Sequence, residues 1–264
     1  MIKKKGFISF LSICLSIIIC NMNVFAASLN LPNQEVCVFS QEEESIILQD
    51  ENNLDSQILS EESIDSIVRN NDYEIVNGVV EFSTKTQINT ANTRAVTDDL
   101  FRSTTIYMIP QNGDMDTLLA EIQATREVTG TGAPEKKGWD KTVTVVGSIV
   151  VYYKEYVFSG HDYVGMYKIT GKYTRADTRV SVQSQSLYAA QKGRTYEDGN
   201  QNKTVQKDYT SSSWTYTIPS TWKPVMTEPT ATFVGANYTL VFKHQSGDLE
   251  TKTIYNPIVT NGTV

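Results

Sequence analysis

The sequence contains very few of the residues that most catalytic and metal-binding sites require. Histidine occurs twice, as His161 and His244, so a site built on two histidines must bring both together. His161 falls in a predicted turn and His244 at the end of a predicted strand, and no pattern links them. The chain also has no Gly-x-Ser-x-Gly elbow, His-Glu-x-x-His helix, phosphate-binding P-loop or Cys-x-x-Cys pair. We therefore predict no catalytic residues, no metal ligands, no cofactor and no enzymatic activity.

Cysteine is almost as scarce, with three residues in the chain. Cys14 and Cys20 fall within the N-terminal leader described next, which leaves Cys37 alone after export. One cysteine cannot form an internal disulfide, so we expect a hydrophobic core to stabilise the fold by itself.

The first 26 residues have the three parts of a secretory signal peptide. Three lysines at positions 3–5 precede an apolar stretch at positions 7–20, and Val24-Phe25-Ala26 forms a small-residue cleavage site. The apolar stretch is shorter than the roughly 20 residues that a membrane-spanning helix needs. We predict cleavage between Ala26 and Ala27 and a secreted, extracellular protein.

Negative charge is concentrated directly after this leader. Residues 27–74 include 12 acidic residues and a single basic one, Arg69, whereas the rest of the chain from Ile75 has 19 basic and 18 acidic residues. A segment this acidic and this poor in apolar residues buries too little surface to offset the entropy of ordering it. We predict that it is largely disordered, with a short amphipathic helix within residues 56–68 as the alternative. The nearly neutral remainder has no dense basic stripe, so we expect no nucleic-acid partner.

A polar linker predicted over residues 83–99 ends the acidic segment. It contains Thr93-Arg94-Ala95, which offers a trypsin-like protease a cleavage site between Arg94 and Ala95. The order of signal, acidic segment and neutral domain is typical of Gram-positive secreted proteins that carry a propeptide. We therefore predict a signal peptide at 1–26, an acidic propeptide or flexible spacer at 27–94, and a β-sandwich domain at 95–264.

The strongest strand pattern occupies residues 142–188, in three runs separated by short polar breaks at 159–162 and 175–178. Alternate side chains of a strand point to opposite faces, so the odd positions 143–153 of the first run and 163–173 of the second predict two core-facing sets. In the third run Val180, Val182 and Tyr188 form the corresponding set. The breaks are too short for parallel crossovers, which predicts a three-stranded antiparallel meander.

Further elements surround these three runs. A helix at 117–126, capped by Asp114 or Asp116, follows a strand that ends before Pro110. A hairpin is predicted at 73–82 around Asn77-Gly78, and more strands at 203–209, 213–218, 231–244 and 249–255, with polar loops at 129–138 and 191–202. Many short strands with frequent turns indicate an all-β fold, an antiparallel two-sheet β-sandwich with one short helix, with a closed barrel as the alternative.

Two weaker patterns concern ligands. The stretch Asp198-Gly199-Asn200-Gln201-Asn202 resembles the start of an EF-type calcium loop, but Lys203 and Tyr209 stand where glycine and glutamate are required, which favours a solvated turn. Aromatic residues, three tryptophans and 14 tyrosines, could form a binding face or pack in the core.

We expect a secreted, non-catalytic β-sandwich interaction protein of a Gram-positive bacterium, whose partner is an extracellular protein, a glycan or a cell-envelope component. The first alternative is a propeptide-bearing effector, a bacteriocin or pore-forming toxin, because runs 142–150 and 178–186 alternate Thr and Ser with apolar residues as barrel strands do. Only this alternative involves a membrane. The second alternative is an extracellular carboxylate-dependent glycoside hydrolase.

Overall fold

A computed structural model describes residues 39–57, 59–88, 99–128, 139–196 and 199–261, which form two β-sheets and three α-helices. The larger sheet contains β1 (Glu74–Val76), β2 (Val79–Gln87), β3 (Asp99–Pro110), β4 (Val143–Phe158), β5 (His161–Arg175), β8 (Ser213–Thr217) and β9 (Val225–Met226). The smaller sheet contains β6 (Val180–Arg194), β7 (Asn200–Tyr209), β10 (Thr232–His244) and β11 (Leu249–Asn261). The helices are α1 (Gln41–Gln57), α2 (Glu61–Asn70) and α3 (Met115–Glu127).

Both sheets are antiparallel throughout, as predicted. The larger sheet has the order β1-β2-β3-β4-β5-β8, with β9 also paired to β5, and the smaller sheet has the order β11-β10-β6-β7. The predicted meander is wrong at its third strand, because β5 pairs with β4 whereas β6 pairs with β10 and β7 in the other sheet. The break after Arg175 is therefore a crossing between sheets. Asp177 holds this crossing by accepting hydrogen bonds from Arg179 and Gln111.

The two sheets share an apolar core. The predicted inward set of β4 is confirmed from residue 145 onward, since Val145, Ile149, Val151 and Tyr153 all belong to this core. It is wrong at Val143, which lies in the apolar cluster on the other face of the sheet, because the β3–β4 register shifts next to it. Gly147 lies in the same set and leaves room for the ring of Tyr107, because a Cβ added at Gly147 would stand 2.0 Å from the Tyr107 Cζ atom. The core thus requires a residue without a side chain at this point of the central strand.

Two irregularities in strand register change which side chains face inward. Tyr152 pairs with Lys168 and Tyr153 with Met166, so Tyr167 is an extra residue in β5. A similar shift in β6 leaves Leu187 in the core rather than Tyr188. An extra residue inverts the alternation beyond it, so the prediction that Tyr163, Tyr167 and Tyr188 face the core is wrong.

Helices cover the opposite, outer face of the larger sheet, so that β4 is buried on both faces. Two of these helices lie in the acidic segment, and the prediction that this segment is largely disordered is wrong for residues 41–57 and 61–70. The segment carries little apolar surface itself, but the rest of the fold adds to it. Ile47, Ile64 and Val68 are buried against apolar side chains that the sheet and α3 supply.

Other local predictions have mixed outcomes. The helix after Pro110 is confirmed as α3, with Asp114 as its N-cap accepting a hydrogen bond of 3.0 Å from the Thr117 amide. The hairpin around Asn77-Gly78 is confirmed as β1–β2, and both turn residues have positive φ, as a tight hairpin turn requires.

Two predicted loops are shorter than expected. The prediction of a polar loop at 191–202 is wrong at both ends, since β6 continues to Arg194 and β7 begins at Asn200. The linker predicted from residue 83 is likewise wrong as far as residue 87, which is still in β2.

Glu81 generates a prediction about pH and stability. It lies opposite Tyr107 in the β2–β3 pairing and is 8% exposed. Burial, reinforced by the carboxylate of Glu74, raises the pKa of Glu81 to about 7. The folded chain then holds this proton more tightly than the unfolded chain, so stability decreases as the pH rises from about 4.5 to 7.

We therefore expect the substitution Glu81→Gln to raise the free energy of unfolding by about 1 to 3 kcal/mol at pH 8 and to change it little at pH 4. Urea unfolding at both pH values measures this difference. Glu62→Gln, on the exposed side of α2, is the control and should show no pH-dependent gain. An equal effect of Glu81→Gln at the two pH values would contradict the assignment.

Candidate interaction face

The outer face of the larger sheet carries a cluster of basic and aromatic side chains. We call these residues the covered face: Arg102 on β3, Tyr152 and Lys154 on β4, and Tyr167 and Lys168 on β5. Arg102 stands opposite Tyr152, which in turn stands opposite Lys168, so these three side chains form one row across three strands. Lys154 follows two residues later on β4 and therefore points to the same side.

The register shift in β5 is what completes this cluster. In a regular strand Tyr167 and Lys168 would point to opposite faces. Because Tyr167 is the extra residue of a bulge, both side chains face the N-terminal segment: the ring centroid of Tyr167 lies 4.5 Å from that of Phe39, just before α1, and Lys168 forms an ion pair with Glu51 of α1. The bulge thus adds one aromatic ring to the row of basic side chains.

Helix α1 lies over the covered face and has the opposite charge. Its 17 residues include six acidic residues and no basic one. The side chains that contact the sheet follow helical spacing along one stripe: Glu43, Ile47, Asp50, Glu51 and Leu54. Positions separated by three, four or seven residues share one side of a helix, so α1 presents alternating carboxylates and aliphatic side chains to the sheet.

The first turn of α1 fixes Glu43 in two ways. The amide of Ser40 donates to Glu43 Oε2 at 2.7 Å while the amide of Glu43 donates to Ser40 Oγ at 3.2 Å, which is a reciprocal capping box. The other carboxylate oxygen, Oε1, accepts from Lys154 Nζ at 2.6 Å, and the two side chains are 4% and 8% exposed. The cap therefore holds this carboxylate in place for a desolvated ion pair.

Two further ion pairs follow along the helix. Arg102 Nη1 donates to both oxygens of Asp50, at 2.8 and 2.7 Å. Glu51 pairs with Lys168 and also accepts from Thr215 Oγ1 at 3.3 Å. Burial raises the pKa of the Tyr152 hydroxyl between these pairs, and the adjacent negative charge of Asp50 raises it further.

Apolar contacts lie between the charges. Ile47 is 1% exposed and packs against side chains of β3, β4 and the residue after β2: Leu100, Val150, Tyr152 and Ile88. At the N-terminal end of α1, Lys154 Nζ lies 5.0 Å from the ring centroid of Tyr156, within the range of a cation–π contact. The covered face therefore complements a helix that is both acidic and amphipathic.

Helix α1 does not fill the groove in which it lies. A cavity of about 300 Å³ beside the N-terminal end of α1 is lined by Phe39, Glu44, Tyr167, Trp222 and neighbouring residues of the 217–224 segment. Two smaller cavities, of about 220 and 160 Å³, border Leu54 on either side. Helix α2 differs, because Ile64 and Val68 are buried in an apolar cluster with α3, and the two helix backbones approach closely.

The tryptophans and histidines considered as site residues in the sequence do not form a common site in the structure. Trp139, Trp214 and Trp222 are 5%, 7% and 9% exposed, so the tryptophans form no exposed patch. His161 pairs with Glu228 at the beginning of β5, whereas His244 pairs with Glu250 and stands opposite Val180, beyond the other end of β5. The two histidines therefore lie at opposite ends of the sandwich.

Several predicted positions lie outside the described residues: Ala26, Ala27, Cys37, Arg94, Ala95 and Asp198. Within the part of the chain that the structure describes, no group of three or more His, Cys, Asp and Glu side chains could hold a metal ion. Nor is any helix of those residues long and apolar enough to cross a bilayer.

The covered face was not predicted from the sequence, although two of its features can be recognised there. Ser40 and Glu43 have the spacing of a capping box, and Lys154 and Lys168 interrupt β-patterned runs at positions where a solvent-exposed strand would also place them. The register shift at Tyr167 leaves no signal in the residue pattern. Without it, Tyr167 and Lys168 cannot be assigned to the same side.

The buried pair Glu43–Lys154 generates a quantitative prediction. Removing one partner leaves the other charge desolvated and unpaired, which costs more than removing both. In a double-mutant cycle of Glu43→Gln and Lys154→Met, we expect a coupling of about 2 to 4 kcal/mol in the free energy of opening α1. Hydrogen exchange of the α1 amides measures that opening.

The matched control is the exposed pair Lys85–Glu155 on the same sheet, whose side chains are 54% and 42% exposed. The cycle of Lys85→Met and Glu155→Gln should give a coupling below about 0.5 kcal/mol, because solvent screens exposed pairs. If the buried pair couples no more strongly than this pair, the charges do not hold α1 on the sheet.

No protein-family model matches this chain, and neither a curated protein nor a solved structure matches it. The case for a function therefore comes from the chain's own geometry: a basic and aromatic sheet face covered by an acidic helix of the same chain.

Proposed function

We propose that this chain is a secreted, non-catalytic interaction protein that recognises an extracellular protein, glycan or cell-envelope component through the covered face. The acidic segment at 27–94 acts as a propeptide that masks this face. The observation that carries the proposal is the set of three ion pairs between α1 and the covered face.

The type of contact supports a mask rather than a permanent structural layer. Buried ion pairs contribute little net stability, because desolvation of both charges offsets most of their attraction. Apolar packing of similar volume holds a helix more firmly, and this is how α2 is fixed, through Ile64 and Val68. Two helices of one segment are thus attached to one sheet by different forces, and α1 is the one attached in the more reversible way.

The experiment compares the wild type with the full-length variant E43K/D50K/E51K, in which repulsion from the sheet releases α1. Both are mixed with intact Gram-positive cells and with the secreted proteins of a culture, and the bound fraction is measured. We expect at least about tenfold more binding by the variant, because a mask lowers the apparent affinity by the fraction of molecules that are covered.

The control is E42K/E62K/D208K, which changes the net charge equally at three exposed positions. This control separates unmasking from a general gain of positive charge. Equal binding by the two triple variants would overturn the proposal.

The position of β2 generates a prediction about processing. Residues 80–87 of β2 pair with residues 101–108 of β3, in the interior of the larger sheet. Cleavage between Arg94 and Ala95 leaves this pairing intact. The propeptide should therefore stay bound after a single cut.

To test this, residues 92–95 are replaced by the recognition sequence of a site-specific protease. After cleavage we expect both fragments to elute together in native gel filtration. We expect them to separate only in about 6 M guanidinium, a concentration that unfolds most stable domains. Separation under native conditions would show that β2 is not an integral strand of the domain.

The propeptide-bearing effector is the second candidate, and the same masking arrangement favours it. An effector that damages membranes also needs its active surface covered until export is complete. Dye release from liposomes distinguishes the two functions when the E43K/D50K/E51K variant is added. Intact vesicles, together with binding of the variant to cells or secreted proteins, would support the interaction protein and exclude the membrane-active effector.

A further inference from the structure

We infer that the partner presents an acidic amphipathic helix to the covered face, and that α1 occupies this face as an internal mimic of that helix. This inference rests on the proposed function, since it specifies the partner of the face that the propeptide covers. The ligand of the covered face is then a helix of another protein.

The dimensions of the covered face are those of a helix. The contacts of α1 begin at Lys154 with Glu43 and end near Ser148 with Leu54, so the helix runs along β4. The twelve residues from Glu43 to Leu54 extend roughly 16 Å as a helix, and the seven residues from Ser148 to Lys154 extend roughly 20 Å as a strand, so the two elements are similar in length. Arg102 and Lys168 flank β4 at about 10 Å from each other, one on each side of the helix.

The distribution of charge also matches a helix. Asp50 and Glu51 are consecutive residues that diverge by about 100° around a helix axis, which directs one carboxylate to Arg102 and the other to Lys168. Glu43 lies two turns earlier, on the same side, above Lys154. One helical stripe therefore satisfies all three basic side chains at once.

The apolar side chains between the three basic residues of the covered face, which we call the apolar floor, favour a protein helix over an anionic glycan as the ligand. Ile88, Leu100 and Val150 form a hydrophobic cluster with Ile47 of α1. A polysaccharide could supply carboxylates but no aliphatic side chain, and it would leave this cluster in contact with water at a cost proportional to its apolar area. A helix with aliphatic residues between its acidic residues covers both the charges and the floor.

The fit of α1 leaves room for a better ligand. The cavity of about 300 Å³ beside Phe39 and the two cavities beside Leu54 are spaces that larger side chains can fill. Filling apolar space and displacing poorly held water both increase affinity. A partner helix with larger apolar residues at these two ends would therefore compete with α1, even though α1 is joined to the domain.

The experiment uses a labelled synthetic peptide of residues 39–57 as the probe and the full-length E43K/D50K/E51K variant as the receptor. We expect the peptide to bind this variant in fluorescence anisotropy and to bind the wild type at least about tenfold more weakly, because the wild-type face is already occupied. Raising NaCl from 50 to 500 mM should weaken binding severalfold, since salt screens the part of the attraction that comes from charges. A second receptor, with residues 39–57 replaced by glycine and serine, guards against effects of the introduced lysines.

Two probes serve as controls. A peptide with Glu43, Asp50 and Glu51 replaced by glutamine keeps the apolar stripe and should bind at least about tenfold more weakly. Polygalacturonate supplies carboxylates without a helix and should not displace the acidic peptide. Failure of the acidic peptide to bind either folded receptor, or equal displacement by polygalacturonate, would overturn the helix assignment.

A third peptide tests the competition step directly. It carries Leu54→Phe and Phe39→Trp, which extend toward the cavities at the two ends of α1. We expect it to bind intact wild-type chain more tightly than the unmodified peptide does, and no gain would argue against α1 as a replaceable mimic. These measurements do not involve cells, so the helix assignment can fail while the masked interaction function, tested by cell binding, stands.

Discussion

The architecture depends on the burial of β4 on both faces. Its odd-numbered side chains from Val145 to Tyr153 pack in the core shared with the smaller sheet, and its even-numbered side chains, among them Val146, Val150 and Tyr152, lie under the helices. Complete exposure of either face would lose apolar burial that is large on the scale of net protein stability. Helix α2, which packs with α3 in the apolar cluster of Val146, is therefore part of the fold, although it precedes the point where processing is predicted.

The two helices of that segment show how one sheet face can hold neighbouring elements with different strength. Helix α2 is joined to α3 by apolar packing and by Arg126, which donates to the Val68 carbonyl. The bond of 3.0 Å from Trp139 Nε1 to Asp65 joins α2 to the residues just before β4. Helix α1 depends on charges around a single fully buried aliphatic residue, Ile47. Local opening of a protein follows the least stable unit, so α1 is the part that can leave while the sandwich persists.

A small backbone irregularity determines the chemistry of the face that α1 covers. The extra residue in β5 turns Tyr167 away from the inter-sheet core and brings it beside Lys168, under Phe39. The same irregularity leaves Val164 and Met166 in the core on one side of the shift and Ile169 on the other. Bulges often serve to redirect a side chain in this way. Here the redirected ring adds an aromatic contact to a face that is otherwise basic and aliphatic.

The fold class could be read from the residue pattern because alternation within a strand is a local property. Val145 to Tyr153 on β4 and the turn residues Asn77 and Gly78 show this directly. The cap of α3 was narrowed to Asp114 or Asp116, and the structure shows that it is Asp114. These features need only the chain within a few residues of themselves.

The predicted export signal, the acidic segment and its charge step were inferred from the sequence alone, and so were the period-two strands that make this an antiparallel β protein. The pairing of Glu43 with Lys154 and of Asp50 with Arg102 joins residues far apart in the chain, and only the folded sheet brings them together. Residues 41–57 and 61–70 of the acidic segment carry too little apolar surface to order by themselves, and they are helical because the rest of the fold supplies the missing apolar surface and, for α1, the opposite charges. Its order is thus a property of the tertiary structure, since the free energy that offsets its conformational entropy comes from contacts outside the segment.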